Sequence, residues 1–177
     1  MRNLIINRVK YLVETVKSNK YEADVSFKMG LNIIYGPNSV GKSSLITGII
    51  YCLGGEKSLG IFQNKQNPFK PEFYDKIENE DIKSSYVLLE ISNGFETCTL
   101  ARSIIGKTDV VGLKKTTIDD FKKTAEIKYL IAGGEGVFSE DGLQAFIFRF
   151  INWNVVNLPT YDSTLSKLYF ENLLTLF

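Results

Sequence analysis

The chain has 177 residues, is 44% apolar, and balances 21 basic against 20 acidic residues for a formal charge of +1. That length supports one sizeable hydrophobic core, and the neutral balance gives no electrostatic case for a dedicated nucleic-acid-binding domain. Histidine is absent, which excludes histidine-built zinc sites and histidine general bases.

The N-terminal MRNLIINRVKYLVE interrupts its apolar residues with charges before a signal-peptide core can form. No run approaches the roughly 20 apolar residues of a membrane span, so the expected location is cytoplasmic with no membrane partner. Residues 3–13 read as a strand. Residues 20–28 alternate Tyr21, Ala23, Val25 and Phe27 with polar neighbours, the pattern of a half-buried strand. After Met29-Gly30, the short apolar run Leu31–Tyr35 reads as a strand buried inside a sheet. From Lys42 the period becomes helical through Leu45, Ile46, Ile49, Ile50 and Leu53, and Gly54-Gly55 ends the helix. Cys52 on this helix and Cys98 on a later strand read as small buried hydrophobes of a reducing compartment.

Residues 56–82 carry two prolines and many charges with little period, an irregular excursion. Asn93-Gly94 between two alternating runs predicts a hairpin, and residues 106–117 add a short strand. TIDDFKKTAEIKYLI, beginning at Thr117, predicts a helix, and EDGLQAFIFRFINW a second one. Leu158-Pro159-Thr160 breaks the chain before SKLYFENLLTLF, read as an amphipathic helix through Leu165, Leu168, Leu173 and Leu176. Its uncovered apolar face would pack on another lobe or a partner.

Between the run at 31–35 and the helix from Lys42, Gly36-Pro37-Asn38-Ser39-Val40-Gly41-Lys42-Ser43 satisfies G-x-x-x-x-G-K-[ST]. Gly36 permits a sharp turn out of the strand, and Gly41 permits close backbone approach to a phosphate. The intervening amides can form an anion nest, reinforced by the positive end of the following helix. Lys42, the candidate catalytic residue, would reach the β- and γ-phosphates, and Ser43 would offer its hydroxyl to Mg²⁺. A dinucleotide-binding turn needs G-x-G-x-x-G and has no role for the Lys-Ser pair. ATP with Mg²⁺ is therefore the expected ligand. Hydrolysis also requires a magnesium-holding carboxylate after an apolar strand. Val87-Leu88-Leu89-Glu90 comes closest, but Glu90 falls within a hairpin strand and reads as solvent-facing.

LNIIYGPNSVGKSSLITGIIYCLGG, residues 31–55, resembles the heads of structural-maintenance-of-chromosomes ATPases and their double-strand-break-repair relatives, in the ABC branch of the phosphate-loop fold. The resemblance rests on LNII, Asn38, GKSS at 41–44 and YCLGG at 51–55. A weaker likeness at 158–177 is to bacterial members of unassigned or anti-phage-defence type.

It implies an α/β P-loop NTPase: an ABC-type N-terminal lobe with a mostly parallel core sheet and an added antiparallel hairpin subdomain. Residues 1–177 would form one partial head. Its parts would be a strand–loop–helix core at 1–55, the excursion at 56–82, a hairpin region at 84–112 and a helical region at 117–177. Asn38 and Ser39 would line the loop, Gly41, Lys42, Ser43 and Ser44 would wrap the β-phosphate, and Ser44 would approach the α-phosphate. The signature motif, Walker B aspartate and switch residue would come from a C-terminal lobe, so the chain would act as an ATPase only when so completed. Further implied partners are a second head in a homodimer, DNA for the complete protein, and a nuclease or other defence subunit. Another ABC-type ATPase, nuclease-coupled or transporting, and a non-catalytic nucleotide-binding scaffold are the alternatives.

Arg8 and Lys10 are candidates for a basic site near nucleotide or DNA, against solvated strand-edge charges, and Arg102 is a third. Gln144, the only glutamine after position 66, is a candidate Q-loop residue whose helical setting suits the surface better. Trp153 reads as a core anchor ahead of a stacking surface for a partner, Asp119-Asp120 as helix-start chemistry rather than a catalytic carboxylate pair, and Lys114-Lys115 and Lys122-Lys123 as solvated charge ahead of a DNA-facing patch.

Overall fold

The computed structural model describes residues 3–37, 41–59, 68–159 and 164–170. Val9, Tyr11 and Val13 alternate along the first strand, β1 (Ile5–Thr15), and turn one face of it into the core. β2 (Lys20–Ser26) folds back antiparallel on β1 at the edge of the sheet and stays largely exposed, because no strand among the described residues pairs with its outer edge.

Helix α1 (Lys42–Cys52) follows the phosphate-loop motif and lays Leu45, Ile49 and Cys52 on the core. Its end matches the sequence reading. Gly54 takes a φ of 74°, its amide donates to Tyr51 O, and the Gly55 amide donates to Ile50 O, the two bonds of a Schellman cap.

β3 (Lys76–Ile77) and β4 (Glu80–Ser92) form a two-residue hairpin through Glu78 and Asn79, both at positive φ. β4 thus begins four residues earlier than the expected hairpin. β5 (Thr97–Ser103) returns along β4, but Asn93-Gly94 is not a two-residue turn. Residues 93–96 form the loop, with Asn93 Oδ1 accepting from the amides of Phe95 and Glu96, while its Nδ2 donates to Phe150 O at 2.7 Å. β6 (Val110–Lys114) and β7 (Lys128–Ile131) continue the sheet, α2 (Leu143–Phe150) packs Ile147 and Phe148 into the core, and β8 (Asn157–Pro159) pairs with β9 (Leu165–Lys167).

The main sheet has the order β2-β1-β4-β5-β6-β7, with β3 on the start of β4, and every ladder in it is antiparallel. The expected mostly parallel core sheet is therefore corrected. The run that would have entered such a sheet, 31–35, forms no strand: Leu31 is 87% exposed, Ile33 74% and Tyr35 90%.

The helix expected from Thr117 is also corrected. Residues 118–123 make turns, and 128–131 are recruited into β7 by pairing with β6. Lys114 Nζ donates to Phe121 O and Thr124 O, and Glu90 Oε2 accepts the Ile118 amide, which holds the segment in a non-helical path. Leu165 lies in β9, and the Leu168 amide donates to Val156 O, so neither begins the expected C-terminal helix. Leu173 and Leu176 lie outside the described residues.

The sheet has two unlike faces. Val87, Leu89, Leu100 and Val111 are fully buried on the face covered by α1 and α2, each worth about 1.5–3 kcal/mol of burial. Lys10, Tyr86, Ala101 and Tyr129 line the opposite face.

Candidate nucleotide-binding site

Gly36 has a φ of 151° and Gly41 a φ of 88°, values that side-chain-bearing residues rarely adopt, so both glycines do what the motif requires of them. Gly41 caps α1 through its carbonyl, which accepts the Leu45 amide at 2.9 Å. The first-turn amides of α1 have no intrahelical partner, and no acidic side chain stands in that turn. Lys42 Nζ folds back to donate to Gly36 O at 2.8 Å and Pro37 O at 2.6 Å. The ammonium group is thereby held against the backbone that enters the loop. Ser43 is exposed beside it, and Ser44 is buried beneath. Asn38, Ser39 and Val40 lie outside the described residues.

The helix is anchored by a contact that sequence reasoning missed. The Tyr11 hydroxyl donates to Ser44 O, and its ring packs against Gly48, where an added Cβ would come 2.7 Å from Tyr11 Cζ. A glycine inside an otherwise apolar helix was the available signal. Phe73, with its ring centroid 5.0 Å from that of Tyr11, and Phe69 at 6.1 Å hold the tyrosine in place. Beside the loop, Tyr11, Val25, Ile33, Lys42, Leu45 and Phe73 line a groove of about 480 Å³.

The other candidates are placed elsewhere. Arg8 and Lys10 project from the face of β1 opposite α1. Arg8 binds Asp24 through two bonds of 2.6 Å and Asp119 at 2.9 Å, while Lys10 lies 3.0 Å from Glu22. Asp119 thus serves as an ion-pair partner, not as helix-start chemistry. The Arg8 pairing holds the Asp24 carboxyl below its usual range. Arg102 is 3% exposed at the far end of α1, where it pairs with Glu56, donates to Tyr51 O and Thr108 O, and lies 4.0 Å over the Tyr51 ring. It is therefore not a basic residue facing DNA or nucleotide.

Gln144, expected at the surface, is 2% exposed. Its Nε2 donates to Leu53 O at 3.3 Å and its Oε1 accepts the Phe170 amide at 2.9 Å. Leu53 lies eleven residues along the helix from Lys42, about 16 Å at the helical rise, so Gln144 is bonded at the wrong end of α1 for a Q-loop role. Glu90 is half-buried rather than solvent-facing, fixing the 118–123 turns. Cys52 and Cys98 are both fully buried and free, as expected. Trp153 packs against the core, as expected of an anchor.

A family model described as an AAA domain matches residues 11–171. The chain belongs to the AAA domain family. No curated protein matches it significantly. Membership makes this AAA domain a P-loop NTPase, and Gly36 and Gly41 at positive φ flank the loop with a helix starting at Lys42. For Mg²⁺ the motif supplies the exposed Ser43 hydroxyl. Among the described residues, no group of three Cys, Asp or Glu side chains could hold a metal. No helix among them is long and apolar enough to cross a membrane.

Proposed function

We infer that this AAA domain binds ATP with Mg²⁺ as the N-terminal part of a structural-maintenance-of-chromosomes-like ATPase head. Lys42 neutralises the β- and γ-phosphates, Ser43 holds the metal, and the amides of 36–44 cradle the anion. The observation that carries the need for a second lobe is the run Leu31–Tyr35. It leads directly into the loop, is apolar at four of five positions, and lies exposed without a strand partner among the described residues. An apolar strand leading into a phosphate loop is stable when buried within a sheet, and a C-terminal lobe would provide that sheet. That lobe would also bring the Walker B carboxylate and signature motif. Two such heads would engage across two nucleotides and drive a DNA-directed task in maintenance, repair or anti-phage defence, with a nuclease or other defence subunit as a further partner.

The experiment is a titration of the chain with fluorescent ATP in Mg²⁺ beside Lys42→Ala. The expected result is saturable binding without turnover. The substitution should weaken it by roughly tenfold to a hundredfold, since charged hydrogen bonds contribute about 1.5–3 kcal/mol each. Equal affinity of the two proteins would remove Lys42 from the site. Multiple turnover by the chain alone would refute the requirement for a second lobe.

A further inference from the structure

The sheet face opposite α1 carries a second cavity, of about 760 Å³, remote from the phosphate loop. Its floor follows from strand register. Lys10 pairs with Leu88, Leu88 with Ala101, Ala101 with Gly112 and Gly112 with Tyr129, so one row crosses five strands on the same face. Two small residues in the middle of that row, Ala101 and Gly112, sink the floor between larger neighbours. In the adjacent row Tyr86 pairs with Leu12 and Ser103, and Tyr86 and Tyr129 stand 43% and 61% exposed as walls.

The remaining wall is the non-helical segment after β6. Ile118, Phe121 and Ile127 line the cavity, and the segment is seated on the floor where a Cβ on Gly112 would come 2.8 Å from Ile127 Cδ1. Lys114 and Glu90 fix this segment through its backbone, as described above, so the trough is formed without a ligand.

Charge identifies what the trough suits. Of its acidic residues, Asp119 is bonded to Arg8, and Glu22 is paired with Lys10. Lys107 and Lys122 also line the cavity and make no ion pair among the described residues. Lys122 is within electrostatic reach of Glu14, but Lys83 already holds that carboxylate at 2.9 Å. Arg8 and Lys10 share three carboxylates, Asp24, Glu22 and Asp119, so the β1–β2 side of the trough is one negative charge in excess, while Lys107 and Lys122 stand beside the apolar floor and two tyrosines as cations without an ion pair among the described residues. The volume lies within the about 300–1,000 Å³ of small-molecule sites.

We propose that this trough binds a small planar aromatic anion. The ring lies on the Leu88–Ala101–Gly112 floor against Tyr86 and Tyr129, and the anionic group is met by Lys107 and Lys122. The site is independent of the ATP reading, because it occupies the other face of the sheet and uses none of the loop.

The test uses the full chain and two fluorescent probes: 1-anilinonaphthalene-8-sulfonate, and N-phenyl-1-naphthylamine, the same ring system without its anion. The expected result is saturable binding of the sulfonate at one site. Lys107→Ala with Lys122→Ala should weaken the sulfonate by roughly five- to thirtyfold and change the neutral amine by less than about twofold. Ala101→Leu, which fills the floor from the solvent side, should abolish binding of both probes while circular dichroism confirms the fold. Unchanged sulfonate affinity in the lysine variant overturns the proposal, as does saturable binding that survives in folded Ala101→Leu. If Ala101→Leu fails to fold, the lysine variant decides alone.

Discussion

Replacing Gly48 by alanine sets two terms of opposite sign against each other. In a helix interior the exchange favours the folded state by about 0.8–1 kcal/mol through propensity. At this position the new methyl runs into the Tyr11 hydroxyl and comes 2.7 Å from Tyr11 Cζ and 3.2 Å from Val87 Cγ1. The ring cannot swing aside, because Phe69 and Phe73 pack on it and its hydroxyl is bonded to Ser44 O. Overpacking of this kind costs about 1–3 kcal/mol, and breaking the buried hydroxyl bond adds about 1–3 kcal/mol. The net expectation is a loss of about 2–4 kcal/mol.

Urea unfolding followed by the fluorescence of Trp153, the one tryptophan, measures this directly. With a slope of about 2 kcal/mol/M, the midpoint should fall by about 1–2 M. The cause is separable from a generic core defect by a double-mutant cycle. Tyr11→Phe deletes the atom nearest the new methyl, so Gly48→Ala should cost markedly less in the Tyr11→Phe background than in the wild type. A Gly48→Ala chain as stable as the wild type, or a cycle with additive losses, would falsify the close-packing account of how α1 is seated.

Arg102→Met should destabilise by about 3 kcal/mol, because it leaves Glu56 and the Tyr51 and Thr108 carbonyls without their shared donor. Glu56→Gln, which keeps a hydrogen-bonding side chain, should cost about 1 kcal/mol in the same urea assay. Burial pushes the thiols of Cys52 and Cys98 up to about 12 and about 11, and the Tyr51 hydroxyl up to about 12. The unfolded thiols ionise near pH 8.5 while the folded ones stay protonated. Stability should therefore be flat below that pH and fall as pH rises toward 11–12, by about 1.4 kcal/mol per pH unit for each thiol, with Tyr51 adding to the slope only above about pH 10. A stability curve flat to pH 11 would contradict that burial. Both thiols should also be inert to a thiol reagent in the native chain and react on unfolding.

The parts legible in the sequence are those whose constraints are local. The turns at Gly36 and Gly41 and the helix start at Lys42 were legible because they lie within seven residues of one another. The Gly54-Gly55 stop is equally local. Thr117–Ile131 misled because its periodicity suits a helix. Its path is set instead by Glu90, Lys114 and the β6 edge, partners between 7 and 28 residues distant from the residues they hold. Gln144 misled for the same reason: a polar residue on a helix reads as surface until Leu53 and Phe170 arrive from elsewhere in the chain. The exposure of Leu31–Tyr35 lies beyond any periodicity argument, since an apolar run signals that it will be buried without saying by what. Arg8 and Lys10 were readable in principle. They alternate with Val9, Tyr11 and Val13, which puts them on the opposite side of the sheet from whatever those three hold.

That alternation gives β1 a part in both halves of the molecule. Tyr11 faces inward and fixes the first turn of α1, and with it the backbone from which Lys42 reaches over the loop. Lys10, its neighbour, faces outward into the trough and is paired with Glu22 and Asp24 on β2. Between the two surfaces lies a single layer of backbone. It is pinned through β4, since Leu88 pairs with Lys10 and Val87 with Tyr11 in the same register. A ligand that bends the sheet at Leu88 must therefore shift Tyr11 as well. Among the described residues β1, with its partner β2, lines both the trough and the groove beside the loop, which makes it the element through which occupancy of one face would be felt on the other.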